Sequence, residues 1–470
     1  MKKYIAIVNL LLVPFFGLTQ ETEKVFSLVE AIEYAKLHNY DYVNAQTDVE
    51  IAEKRVWEST ALGLPQIDGS ISNDNYIDIP VTLLPDFITP SIYQVNQEAF
   101  GLTPEVPQPE TQFFPVSFGT QNNATAGVNV SQLLFSGEYL VGLRAAKVYR
   151  GQTERERVRV EVMLVEQVSK SYWLILSLQE NLDVLDSSLV LNKSLLEDTK
   201  AMFQAGFSED TDVDQLEVIV ADLDASIKNI ENEISTAYAY LKFYLGIDFS
   251  EDIILTDKLD QVIDQLNIDY LLTSEFSLNE NIDFLLFQKQ KELADLQVKL
   301  EKASYMPTLS AFFSAQANAQ RDQWDFFDTK GKWYPTTVWG VQMNIPILSS
   351  GNRYARVQQQ KLNYKKMEES EKQLSNSLNL QVQTARNNFS NIYYEYLNRK
   401  KNLEVNIKIY QKTNDKFREG LASSFDLIQA QNNFVQANND YTMSVMNLLQ
   451  SKIELEKVLT KTADKFKEDK

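Results

Sequence analysis

Apolar side chains recur every seven residues through the first half of the chain, at Val168, Ile175, Leu182, Leu189, Leu196 and Phe203. That period keeps one seam turned towards a neighbouring helix. The stretch that carries it has no proline between Gly137 and Gly206 and predicts a helix over 138–205. Such a helix is roughly 100 Å long at about 1.5 Å per residue. It exceeds the usual globular length several times over and needs a partner along all of it. A break at Gly206 leads into a second helical run over 211–245.

A different period precedes it. Residues 27–60 form a polar helical pattern in which Ser27 and Glu30 have the spacing of a capping box. The pattern stops at Gly63-Leu64-Pro65, and Ile67, Gly69 and Ile71 then alternate with Asp68, Ser70 and Ser72. That alternation predicts a half-polar strand over about 65–75. A second strand, about 122–135, sets Ala124, Ala126, Val128 and Val130 against Thr125, Gly127, Asn129 and Ser131. Between them, residues 76–120 hold seven of the 12 prolines. Proline at that density opposes long helices and central strands, so the stretch is expected as a long loop. Loops of that length usually carry function or disorder.

The second half repeats the order. A helical run over 277–304 ends at Pro307, and Leu309, Ala311, Phe313, Ala315 and Ala317 then mark a strand over about 307–319. Only Phe312 interrupts its polar face. After a loop rich in tryptophan and phenylalanine comes a strand over about 336–348, with Trp339, Val341, Met343, Ile345 and Ile347 on one side. Helical runs over 352–419 and 426–460 follow, parted by Gly420. Gly351 stands 214 residues after Gly137, and Gly420 stands 214 after Gly206. Pro307 stands 242 after Pro65, so the first copy carries about 28 extra residues, all between Pro65 and Gly137, where the proline-rich stretch lies. Four coincident markers point to an internal duplication: residues 21–245, a connector over 246–272, residues 273–460, and a tail over 461–470.

Composition narrows the setting. Residues 1–20 have a basic start, an apolar stretch and a polar end, the form of a secretory signal peptide. With no cysteine in the chain, disulfides, thiol catalysis and a lipid anchor on an N-terminal cysteine are excluded. The net charge of −20 disfavours nucleic acid and anionic lipid surfaces as partners. His38 is the only histidine and reads as a helix-surface residue, so no histidine triad or multi-histidine metal site exists. No catalytic arrangement and no cofactor site stands out.

In an exported chain, short strands with one apolar and one polar face fit a membrane barrel, apolar towards lipid and polar towards a lumen. Four strands cannot close such a barrel, and an open edge cannot remain in lipid. The strands must therefore be pooled between subunits.

The duplicated order, together with a turn signature F-x-x-G-x5-D-[V/L], resembles the TolC-like outer membrane efflux proteins over about residues 21–460. Phe203, Gly206, Asp212 and Val213 carry the signature in the first copy, and Phe417, Gly420, Asp426 and Leu427 in the second. The second is the better match, continuing Ile428-Gln429-Ala430. The resemblance implies an α+β membrane protein with long coiled-coil helices and four transmembrane β-strands per subunit. It further implies a homotrimer with a twelve-stranded barrel in outer-membrane lipid, continuous with a periplasmic helical tunnel. The tunnel end would dock a periplasmic adaptor and, through it, an inner-membrane transporter. This chain departs from lipid-anchored members and has an unusually long first outer loop.

On that expectation Gly206, Phe207, Gly420 and Leu421 are the adaptor-docking tips. Asp212 and Asp426 are placed to cap the returning helices. Glu209, Asp210, Asp212, Asp214 and Asp426 are candidates for a gate or cation-selective charge ring at the narrow end. Trp324, Trp333, Tyr334 and Trp339 are expected in an interfacial aromatic girdle. The function expected is a passive exit duct for efflux or for secretion of a polypeptide. The alternatives are a surface protein binding through 76–120 and a stand-alone diffusion porin.

Overall fold

The computed structural model describes residues 24–86, 88–101, 112–264, 266–328 and 330–469. The expected signal peptide at 1–20 and part of the proline-rich stretch lie outside them. The chain opens with β1 (Lys24–Phe26), α1 (Leu28–His38), α2 (Tyr40–Ala61) and β2 (Gln66–Asn75). Next come β3 (Val81–Pro85), α3 (Ile88–Phe100), β4 (Phe113–Ser117), β5 (Asn122–Phe135), α4 (Gly137–Gln204) and α5 (Asp210–Leu245). A connecting region holds β6 (Ile253–Leu255), α6 (Leu259–Asp264) and α7 (Ile268–Thr273). The rest is α8 (Ile282–Ala303), β7 (Thr308–Arg321), β8 (Tyr334–Asn344), α9 (Asn352–Arg418) and α10 (Ser424–Leu459). Helices α4 and α9 have 68 and 67 residues, and α5 and α10 have 36 each.

The chain divides into two compact units. One, built from 53–147 and 293–364, holds a four-stranded antiparallel sheet in the order β2-β5-β7-β8. Its register lines up Ile67, Val130, Phe313 and Trp339 in one cross-strand row. On the opposite face, Ser72, Thr125 and Asn318 share a row, as do Asp68, Asn129 and Ser314. Thr125 Oγ1 and Ser314 Oγ donate to Asn318 Oδ1 and Asn129 Oδ1 at 2.8 and 2.6 Å. Phe312, the apolar interruption of this face, pairs directly with Gly340. A Cβ at 340 would stand 2.8 Å from the Phe312 ring, so the glycine makes room for it.

The segment expected as a bare loop over 76–120 contains secondary structure. Strands β3 and β4 pair antiparallel, and α3 lies between them in sequence. The prolines are accommodated locally. Pro90 falls in the first turn of α3, where a backbone N–H has no helical acceptor in any case. Pro85 and Pro115 lie in a ribbon of only two strands, which leaves each strand an unpaired edge where proline is tolerated.

The other unit, built from residues up to Ala52 with 148–292 and 365–470, holds the main core. Val168 and Ile175 are fully buried in it, Leu189 and Leu196 nearly so, and Leu182 packs against it. Phe203, the last heptad position, is exposed. Polar rungs cross the seam at the same seven-residue interval. Asn438 Nδ2 donates to Asn181 Oδ1 at 2.5 Å, and Gln431 Nε2 to Ser188 Oγ at 2.9 Å. A buried polar pair of this kind fixes helix register.

The helix expected over 27–60 is broken at Asn39, whose ψ of 130° is extended. Its side chain accepts from the Tyr42 N–H at 3.0 Å and donates to the Tyr244 carbonyl at 2.9 Å. Gly246 ends α5 in the left-handed region, and a Cβ there would stand 2.3 Å from the His38 carbonyl oxygen. Tertiary docking thus interrupts a sequence with good helical period. The connector also pairs: β1 and β6 run parallel, and Tyr172 Oη donates to the Phe26 carbonyl at 3.0 Å. His38 is exposed and stacks on Tyr34 with ring centroids 4.0 Å apart.

Candidate functional site

The two helical turns close in the same way. Gly206 (φ 81°) and Gly420 (φ 70°) are left-handed, a conformation glycine adopts without penalty. In the first turn, the Gly206 N–H donates to Phe203 O and the Phe207 N–H to Met202 O, each at 2.9 Å. In the second, Gly420 N–H reaches Phe417 O at 2.9 Å and Leu421 N–H reaches Lys416 O at 2.8 Å. Both are Schellman closures. Each ejects the residue after its glycine into solvent: Phe207 is 85% exposed and Leu421 72%. Beside Phe207 lies a cleft of about 490 Å³ whose walls include Met202, Ala205, Phe417 and Arg418.

The returning helices start on capping boxes, with the aspartates at the third helical position rather than at the cap itself. Asp426 accepts from the Ser423 N–H at 3.0 Å and the Ser423 hydroxyl at 2.7 Å, while the Asp426 N–H donates back to Ser423 Oγ at 3.2 Å. Asp212 accepts from the Glu209 N–H at 3.1 Å and the Ser208 hydroxyl at 2.9 Å. Burial pushes the Asp212 carboxyl up, but hydrogen bonds from Ser424, the Glu209 N–H and Ser208 outweigh it and hold the group below the ordinary carboxyl range. The Ser423 hydroxyl and N–H, with help from Lys416, lower Asp426 likewise. Both side chains are engaged at a helix start, where negative charge is favoured. Glu209, Asp210 and Asp214 are exposed. The partners Ser208, Ser423 and Ser424 were not singled out from sequence, although the spacing Ser423-x-x-Asp426 is a capping signal.

The aromatic candidates divide into two sets. Trp324, Phe326, Phe327 and Trp333 form one ring cluster with centroid separations from 5.6 to 6.4 Å. Arg321 lies over Phe326 at 5.5 Å and pairs with Asp325 at 2.9 Å. Tyr334 opens β8, whereas Trp339 stands in its middle, opposite Phe313 and 76% exposed. The apolar face around it is bare: Ile67, Ile71, Val128, Phe313, Val341 and Met343 are all exposed. Among the described residues no helix is long and apolar enough to cross a membrane, and no group of acids and histidine could hold a metal ion.

A sheet bare on its apolar face, joined in one chain to paired helices of this length, is the build of an outer-membrane channel subunit. The chain belongs to the outer membrane efflux protein family, which matches residues 111–247 and 275–461. It is 23% identical to outer membrane protein TolC of Vibrio cholerae over 337 residues, 70% of this chain and 76% of that one. Its fold is that of CusC, with a TM-score of 0.68 at 15% identity over 93% and 92% of the two chains. The open-state MtrE channel of Neisseria gonorrhoeae gives 0.67 at 13% identity over 92% and 88%. Membership places the chain in the outer membrane, among efflux proteins rather than enzymes.

Proposed function

We propose that three copies pool their four strands into one twelve-stranded barrel and act as a passive exit duct. The observation that carries this reading is the sheet itself. The outer edges of β2 and β8 are unpaired among the described residues, and its apolar face is uncovered. Unpaired backbone groups in hydrocarbon cost several kcal/mol each, so a single sheet is not viable in lipid. Closure between copies satisfies both edges and sets the polar rows of Ser72, Thr125, Asn318 and Asn129 around a wet lumen.

The duct has no energy source of its own and takes it from an inner-membrane transporter, reached through a periplasmic adaptor. Phe207 and Leu421, thrown outward by Gly206 and Gly420, with the cleft beside Phe207, offer apolar knobs and a groove to that adaptor. Glu209, Asp210 and Asp214 bring exposed negative charge to the same tips. Repeated in three copies around a constriction, they would favour cations. Asp212 and Asp426 hold the returning helices in place. Purified protein in detergent should have the mass of three chains and should conduct in planar bilayers. A monomer mass with no conductance would overturn the reading.

A further inference from the structure

The polar face of the sheet carries one apolar patch. On the face shared by Asp68, Asn129 and Ser314, the side chains of Leu133, Phe312 and Val338 are pure hydrocarbon. Leu133 pairs with Ser310, Phe312 with Ser131 and Gly340, and Val338 with Ser314. The three therefore step diagonally across β5, β7 and β8, one row at a time. The Phe312 ring leans over Gly340, whose missing side chain leaves it room. Even so, Phe312 stays 40% exposed and Val338 48%. A phenyl group that served only to cover the glycine would not need such neighbours, nor to stand open to solvent.

The charge on this face has one sign. Asp68 and Asp74 of β2 are exposed and lie on it, and Asp68 shares a row with Val338. Strands β2, β5, β7 and β8 contain no lysine. Their one arginine, Arg321 at the end of β7, is held by Asp325 at 2.9 Å.

We infer that Leu133, Phe312 and Val338 form a contact site in the wall of the lumen for a flat aromatic cation in passage, and that Phe312 sets how long it stays. The inference rests on the duct proposed above, in which this face lines the lumen. An aromatic ring attracts a cation placed over it, and the patch removes apolar surface of the solute from water. Asp68 and Asp74 supply the opposite charge. A small hydrated cation brings no apolar surface to the site, and an aromatic anion is repelled by the carboxylates.

Proflavine, a planar aromatic cation, tests this on single channels of the full-length protein in planar bilayers. It should interrupt the current. Phe312→Leu keeps an apolar side chain over Gly340 and should shorten the interruptions about 2–5-fold, the loss of one exposed contact between ring and cation. Phe312→Tyr keeps the ring and should restore their length. Phe313→Leu, on the opposite face, should leave them unchanged. Tetramethylammonium and naphthalenesulfonate should cause none. Interruptions equally long in Phe312→Leu, or absent from the unmodified chain, overturn the inference, while the current itself leaves the duct standing. Shortening by Phe313→Leu, or equal interruptions by naphthalenesulfonate, overturns it as well. A monomer mass with no conductance removes the duct and this site with it.

Discussion

The seam of α4 and the apolar face of the sheet are both regular stripes, yet the chain treats them oppositely. Val168, Ile175, Leu189 and Leu196 are covered by their own chain, with Phe389, Phe434 and Leu448 in the same core. Ile67, Phe313, Trp339 and Val341 are covered by nothing in it. Periodicity reports which side of an element is apolar. Burial within the chain reports what that side must touch. A seam that water would reach is closed by the chain itself, whereas a face that hydrocarbon reaches needs no cover.

Substitutions can break this contrast, and the largest effect is expected in the seam. Ile175→Ala removes a fully buried side chain and should destabilise the helical unit by about 2–5 kcal/mol. Val341→Ala, on the bare face, should change stability far less in chemical unfolding of the reconstituted protein. Sign reverses the contrast for a charge. Val341→Arg should cost about 2–4 kcal/mol of barrel stability, while Gln342→Arg on the opposite face should be tolerated in folding assays from vesicles. Replacing Asn438 by Leu leaves the buried Asn181 carbonyl without its donor and should cost about 1–3 kcal/mol. The paired change of Asn181 and Asn438 to Leu should recover much of that loss.

Smaller effects belong to the tips. The Asp212 and Asp426 carboxyls are lowered in the folded chain. Their contribution is therefore present above the ordinary carboxylate range and lost as pH falls through the lowered folded values. Amide exchange at the starts of α5 and α10 should stay slow down to the usual carboxyl range and accelerate below it. Asp426→Asn should flatten that dependence in α10 alone. Asp210→Asn with Asp214→Asn should reduce cation over anion selectivity of single channels, and unchanged selectivity would remove these residues from the conduction path.

Much of this contrast was readable beforehand. The strands announced themselves through strict alternation, and the long helices through their seven-residue period and paired glycines. The TolC-like fold expected from these features is the one observed. What escaped was set by distant contacts. The break at Asn39 is held by Tyr244 and Gly246, more than 200 positions away, and its local signal, an Asn side chain capping Tyr42, is outweighed in the sequence by an unbroken helical period. Strands β3 and β4 hid among prolines because pairing is templated by β2 and β5, outside the stretch. At the tips, the glycines and aspartates were visible from spacing. The serines that hold the aspartates were less so, since serine is common in polar turns. Trp339 was read near the start of a strand over about 336–348; β8 begins two residues earlier, at Tyr334, and ends at Asn344, which puts Trp339 in its middle.

The most direct measurement is quenching of a fluorophore placed by single cysteines along β8 in reconstituted vesicles, since the chain has no cysteine of its own. At Trp339, Val341 and Met343 the probe should be quenched from within the lipid, and at Gln342 and Asn344 from water, switching at every residue from 341 to 344. Equal access of a water-soluble quencher to both sets would contradict the account.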